Sequence, residues 1–319
     1  MRKYLPADIC PNKRRYRIVS NTLVSAYRNR EGVFSDPSAS WPENRIYQSS
    51  VVSRASDVIK INATFFAGLF LRGKITTERA IRSYLGIIES CPWAIESSTI
   101  RTGNSRRIRL LNEALDNAGL GHVVDQVREY WWHNANIMFN LGGTLSPQLS
   151  AVTSFDEALY VFGTPKSAGA KNRFPNLQNL GFLGYGGTGK VMALILQMLM
   201  EQDLMAKFSL PVSADFHLLS IYLRSGAIVP PAEVRTHYTL ARLIRDLSLE
   251  MMPKNDIEYN NIISRATYQL GATVCPANPD EKTGSKHPSC VGCPIAKYCD
   301  QNVPKSNYHQ KGYLEVIEV

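Results

Sequence analysis

Four cysteines constrain this chain more than any other feature of its sequence. Cys275, Cys290, Cys293 and Cys299 fall within 25 residues, spaced Cys275-x14-Cys290-x2-Cys293-x5-Cys299. The surrounding stretch, 274–300, is loop-like in composition, so a metal can order it where a hydrophobic core cannot. Thiolates are soft ligands, and four on one short loop suit an iron–sulfur cluster or zinc. Structural zinc usually takes two separated close pairs. Here three cysteines are crowded and one stands apart, directly after an expected helix, which favours a [4Fe–4S] cluster with zinc as the alternative. The motif supplies no open coordination position, so the expected role is structural or a redox-sensitive support. Lys282, Lys286 and Lys297 flank it within reach of a phosphate.

The compartment points the same way. No segment approaches the ~20 apolar residues that a membrane span needs, and the first residues, Met1 to Asp8, carry no apolar signal core. A cytoplasmic monomer with no membrane partner is expected, associated with the nucleoid if the source is prokaryotic. Disulfides are rare there, which returns the clustered cysteines to a metal and leaves the isolated Cys10 and Cys91 as ordinary thiols. The 319 residues suffice for one large domain or two modest ones, and a hydrophobic content of 44% makes the chain globular. A formal charge of +9 suits a polyanionic partner, because Lys and Arg that neutralise phosphates release condensed counterions.

Helical periodicity dominates. Helices are expected near 51–72, 77–90, 104–118, 122–140, 154–162, 188–205, 215–225, 231–251 and 256–273. Start signals stand at Thr76-Thr77-Glu78, at Ser154 before Phe155-Asp156-Glu157, and at Pro230-Pro231. Residues 1–50, with Lys13-Arg14-Arg15 and Arg17 close together, read as an irregular basic segment, either an arm over nucleic acid or a solvated tail.

Two further motifs carry chemistry. Leu180 to Lys190 is a glycine-rich turn, Leu-Gly-Phe-Leu-Gly-Tyr-Gly-Gly-Thr-Gly-Lys, followed by an apolar helix. Glycine permits positive φ and close backbone approach, and the N–H groups at the following helix start can hold an anion. Gly184 to Lys190 is only superficially a nucleotide P-loop: Val191 stands where a magnesium-binding hydroxyl belongs, and no strand precedes it. A plain turn between two helices is the other reading. Downstream, Asp215 opens a new apolar helix, so its simplest role is an N-cap. A capping carboxylate at a cleft can also face a substrate.

The turn, Asp215-Phe216-His217 and Cys290-x2-Cys293-x5-Cys299 occur in one order, and together they resemble the helix-hairpin-helix DNA glycosylase superfamily. That is the group of endonuclease III, the adenine glycosylases and 8-oxoguanine glycosylase. The resemblance covers about residues 150–300. Its hairpins resemble Leu-Pro-Gly-Val-Gly-x-Lys, its catalytic segment Val-Asp-x-His, and its cluster loop Cys-x6-Cys-x2-Cys-x5-Cys. This chain departs in a longer first cysteine loop, a longer hairpin-to-aspartate distance, and a first 150 residues without a match.

The resemblance implies a mainly α, two-lobed helix-hairpin-helix glycosylase fold with a C-terminal iron–sulfur loop. Its parts would be a basic arm over 1–50, a helical portion over 51–150, a glycosylase core over 151–273, a cluster loop over 274–300 and a tail over 301–319. The partner would be double-stranded DNA, gripped by Gly187, Thr188, Gly189 and Lys190, with Tyr185 and Phe182 along the DNA surface and His217 from the Asp-x-His match. The target nucleotide would be flipped out and its N-glycosidic bond hydrolysed with Asp215 as the catalytic carboxylate. If Gly187-Thr188-Gly189 aligns with the family's Gly-Val-Gly, Val191 takes the place of the lyase lysine and the enzyme is a monofunctional glycosylase. In a shifted register Lys190 is the nucleophile of a bifunctional glycosylase/lyase. A non-catalytic iron–sulfur DNA-binding protein is the third reading. The implied base pocket draws on the aromatic and amide run 128–140, with Trp131, Trp132, Asn134 and Asn136 as its residues, against a Trp131/Phe139 core stripe as the alternative. Arg72, Arg101, Arg106 and Arg107 read either as phosphate contacts or as solvated surface charges. The excised base would be a damaged, mismatched or modified one. The unfamiliar first 150 residues would suit an unusual lesion, including hypermodified phage bases.

The purified protein is expected to be yellow-brown, with broad visible absorbance from thiolate-to-iron charge transfer and iron bound to the chain. One equivalent of zinc without iron would assign the cysteines to zinc.

Overall fold

The computed structural model describes residues 10–36, 41–71, 75–96, 105–163, 173–185, 189–229, 237–275 and 292–299. Twelve α-helices follow one another there: α1 (Lys13–Arg28), α2 (Asn44–Gln48), α3 (Asp57–Gly68), α4 (Thr77–Ser90), α5 (Ser105–Asn117), α6 (Val124–Asn140), α7 (Ser146–Ser150), α8 (Phe155–Phe162), α9 (Lys190–Glu201), α10 (Phe216–Arg224), α11 (His237–Met251) and α12 (Tyr259–Thr273). The strand pairing among the described residues is one antiparallel contact of two residues a side, Cys10–Pro11 (β1) with Ile228–Val229 (β2). The protein is mainly α-helical, and no described helix is long and apolar enough to cross a membrane.

Local chemistry sets several helix starts. Thr76 accepts the Arg79 N–H at 3.3 Å through its hydroxyl, and α4 begins at the next residue. Ser154 accepts the Glu157 N–H at 3.3 Å, while Glu157 accepts the Thr153 N–H at 2.7 Å. These reciprocal bonds satisfy donors that a helix N-terminus otherwise leaves open. The Thr153 N–H also holds the Glu157 carboxyl below the usual carboxylate range. The expected helix 51–72 is shorter at both ends, because residues 51–54 form a turn that bonds back to Ser49. The Pro230-Pro231 start signal lies outside the described residues.

The chain divides into two compact units, Met1–Ser40 with Ser209–Val319 and Trp41–Phe208. This differs from the sequence-based boundaries at both ends. Residues 13–28 are not an irregular arm. Asn12 caps α1 by accepting the Arg15 N–H at 2.9 Å, and Tyr16, Val19, Leu23 and Val24 recur at helical spacing along a buried face. That face joins the core formed by α10, α11 and α12. Tyr16 stacks on Tyr222 with ring centroids 4.7 Å apart, and burial pushes both hydroxyls well above the usual tyrosine range. The basic residues are used inside the same unit: Lys13 pairs with Glu250, and Arg28 with Asp256 at 2.7 Å.

The unit Trp41–Phe208 is built on aromatic packing. Trp131 lies stacked on Phe66 with centroids 4.6 Å apart, and Phe65 meets Phe162, Phe182 and Tyr185. All six are fully buried or within 1% of it. Helices α3 and α9 approach closely at Gly68, where a Cβ would stand 2.4 Å from Ile195 Cδ1 and 3.1 Å from Tyr185 Cε1. Gly68→Val should therefore lower the stability of the protein by about 1–3 kcal/mol, the usual range for overpacking, read as a lower urea midpoint. An unchanged midpoint would mean that Ile195 and Tyr185 move aside at no cost.

Candidate functional site

The glycine turn is positioned by amides from other elements. Leu180 N–H bonds Val161 O at 2.8 Å, and Asn179 Nδ2 donates to Tyr160 O and Gly163 O. Asn134 on α6 clamps Leu183 twice: its Nδ2 donates to Leu183 O at 2.9 Å, and its Oδ1 accepts Leu183 N–H at 2.9 Å. His133 Nε2 lies 3.0 Å from Gly181 O. Gly189 takes a left-handed φ of 82° as N-cap of α9 and brings no side chain to the first turn. Backbone N–H groups at such a start can hold an anion. Lys190 follows as the first helical residue. Gly187 and Thr188 lie outside the described residues.

Several expected contact residues have other tasks. Tyr185 is fully buried and donates its hydroxyl to Phe65 O at 2.6 Å, so it is a core residue rather than a DNA contact. Phe182 is fully buried beside it. The expected pocket is corrected in the same way. Trp131 is in the aromatic core, and both polar atoms of Asn134 are spent on Leu183. Trp132 is half-buried with Nε1 donating to Asn112 Oδ1 at 3.2 Å, and Asn136 is exposed. Arg106 is exposed, and Arg107 lies over the Trp93 ring at 5.4 Å. Arg72 and Arg101 lie outside the described residues.

Asp215 is the N-cap of α10. Its Oδ1 accepts the Leu218 N–H at 2.9 Å, and its second oxygen has no hydrogen-bond partner among the described residues. The side chain is half-buried. The extended segment before it makes no ladder, so its backbone groups need partners from elsewhere. Asn260 Nδ2 donates to Leu210 O at 2.9 Å and to Ser248 O at 3.1 Å. Ser248 Oγ accepts Val212 N–H at 3.1 Å, and Ser264 Oγ accepts Ser213 N–H at 2.9 Å. Sequence reasoning did not find these three residues. Their available signal was a polar residue on an otherwise apolar helix face. His217 packs edge-on to Tyr268 with centroids 5.6 Å apart. It lies so close to α12 that a Cβ at Gly271 would stand 2.2 Å from its Nδ1.

Three of the four cysteines are described, and all three pack against one core. Cys275 is buried just past α12, and Cys293 and Cys299 lie half-buried against the same apolar cluster, seated by the buried Ile295. None of the three forms a disulfide among the described residues. Arg224 Nη1 donates to Cys275 Sγ at 2.6 Å and to Cys275 O at 3.3 Å. Cys290 lies outside the described residues, as do Lys282 and Lys286, and Lys297 lies over the Tyr298 ring at 4.9 Å. Among the described residues no three His, Cys, Asp or Glu side chains gather tightly enough to hold a metal ion. A soft donor set with a buried cation against one sulfur fits a thiolate-ligated centre. Cys91, by contrast, is a buried thiol that burial pushes up from its usual range.

Comparison with models of known protein families and with curated proteins finds no match to this chain.

Asn260 is fully buried, so Asn260→Ala leaves two carbonyls without their donor. A loss of about 1–3 kcal/mol is expected for each such buried group, with faster amide hydrogen exchange at Val212, Ser213 and Leu218. Unchanged exchange there would show that the segment before Asp215 is held by packing alone.

Proposed function

We propose that this protein is a monofunctional DNA glycosylase of the helix-hairpin-helix type, with Asp215 as its catalytic carboxylate. The observation that carries the reading is the half-used carboxylate. Asp215 gives one oxygen to its helix cap, has no hydrogen-bond partner for the other among the described residues, and follows a segment held by Ser248, Asn260 and Ser264. The glycine turn, a net charge of +9 and the order of the three motifs support the same reading.

In this proposal the N-terminus of α9, with Lys190, binds the DNA backbone, and the target nucleotide leaves the stack because its glycosidic bond cannot be reached inside the duplex. Cleavage builds positive charge on the sugar. The second oxygen of Asp215 stabilises that oxocarbenium-like state, as preorganised charge does at other transition states, and can orient a water. A metal centre on Cys275, Cys290, Cys293 and Cys299 would order the 274–300 segment and act as a structural support. The left-handed φ at Gly189 favours the register with Gly187-Thr188-Gly189 as the hairpin, because the shifted register asks a non-glycine position for that conformation. That supports Val191 at the lyase position and Lys190 as a backbone contact. Trp132, Asn136 and His217 are the remaining base or backbone contacts in this proposal.

Asp215→Asn keeps an oxygen for the Leu218 N–H, so the helix cap and DNA binding should persist. Base release should fall more than a hundredfold, since a lost preorganised charge of this kind costs on the order of 3 kcal/mol or more. The measurement is mass spectrometry of bases freed from damaged, mismatched and phage-modified DNA, with and without alkali. Alkali-dependent breaks identify a glycosylase alone. Direct breaks, with a borohydride-trapped adduct lost in Lys190→Ala, would make Lys190 the nucleophile. An unchanged rate in Asp215→Asn would reduce Asp215 to a cap.

A further inference from the structure

We propose that Gly271 is a positioning residue for Asp215: its missing side chain seats His217 on α12 and so fixes where the carboxylate at the start of α10 stands. The proposal rests on the reading of Asp215 as the catalytic carboxylate and extends it to a residue outside the three sequence motifs.

Gly271 lies in the last turn of α12 and is buried. Its backbone does not take a positive φ, so nothing in its conformation calls for glycine, and glycine is a poorer helix former than alanine. What the position uses is space. A Cβ there would stand 2.2 Å from His217 Nδ1, 2.4 Å from its Cγ and 2.5 Å from its Cβ. Rotation about χ1 moves the imidazole but leaves the His217 Cβ where it is. A methyl group at 271 therefore displaces the backbone of the first turn of α10 as well as the ring.

The same face of α12 holds the other side of Asp215. Ser264, Tyr268 and Gly271 follow one another four and three residues apart, the spacing of one helix face. Ser264 Oγ accepts the Ser213 N–H at 2.9 Å, two residues before Asp215. Tyr268 meets the His217 ring edge-on with centroids 5.6 Å apart, and Gly271 receives the rest of that side chain, two residues after Asp215. Asp215 is thus bracketed by two attachments to one helix, about 10 Å apart along its axis. Its Oδ1 is fixed on the Leu218 N–H at 2.9 Å, so the direction of the second oxygen follows the position of that first turn.

The test is a double-mutant cycle in the full-length chain: wild type, Gly271→Ala, His217→Gly and the double variant. Gly86→Ala is the control, because a Cβ at that helical glycine meets nothing within 4 Å. Base release is followed over a range of DNA concentrations, and amide hydrogen exchange is followed at Leu218. Gly271→Ala should slow release at saturating DNA about 10- to 100-fold, the cost of an ångström-scale misplacement. The half-saturating DNA concentration should change less, and exchange at Leu218 should quicken. Adding Gly271→Ala to His217→Gly should change neither readout further, since the three clashing atoms are gone, and Gly86→Ala should match wild type. A general loss of stability would instead add equally in both His217 backgrounds. That additivity, or a Gly271→Ala protein equal to wild type in both readouts, would overturn the proposal. If Gly271→Ala does not fold, a folded double variant supports the seat and an unfolded one overturns it. A wild type that releases no base would overturn the catalytic reading of Asp215. In that case, or if His217→Gly is inactive, the exchange cycle at Leu218 decides the seat alone: coupling supports it and additivity overturns it.

Discussion

The side chains of Ser248, Asn260 and Ser264 hold the segment before Asp215 by meeting its backbone groups one by one. An extended strap inside a helical unit has no neighbouring strand to bond, and each buried amide left open would cost on the order of 1–3 kcal/mol. Helices α11 and α12 remove that cost, and so determine where α10 starts and where Asp215 stands. At the other end of α10 Arg224 meets Cys275. Nine helical residues, a span of ~13 Å at 1.5 Å per residue, therefore tie the candidate carboxylate to the cysteine segment.

The glycine turn depends on the same kind of bonding in the other unit. Glycine allows the chain to turn, but permits many paths. Asn134 and Asn179 select one by binding carbonyls and amides that the turn itself leaves open. The aromatic run on α6 is consequently divided by burial rather than by composition. Trp131 faces Phe66 in the core, Asn134 faces the turn, and Asn136 faces solvent. Consecutive helical residues point about 100° apart, so a run rich in rings and amides cannot turn all of them towards one ligand.

What sequence by itself determined was local. The starts of α4 and α8 follow from Thr76 and Ser154, whose hydroxyls bond backbone three residues on. Asp215 as an N-cap follows from the same rule, and the helical character of the chain follows from apolar spacing. Helix α1 was also legible, since Asn12 is a favoured cap and Tyr16, Val19, Leu23 and Val24 keep helical spacing. The density of charge from Lys13 to Arg17 masks that stripe.

Tertiary structure alone decided which polar and aromatic residues were spent on folding. Tyr185 and Phe65 are 120 positions apart, as their hydrogen bond requires only proximity in space. The partners of Leu210, Val212, Ser213 and Cys275 likewise come from helices that local spacing does not connect to them. N-caps and helical stripes are legible because their interactions close within a few residues. The bonds that consume Tyr185 and Asn134, and those that hold Asp215 and Cys275, close between distant segments, so only the folded chain reveals them.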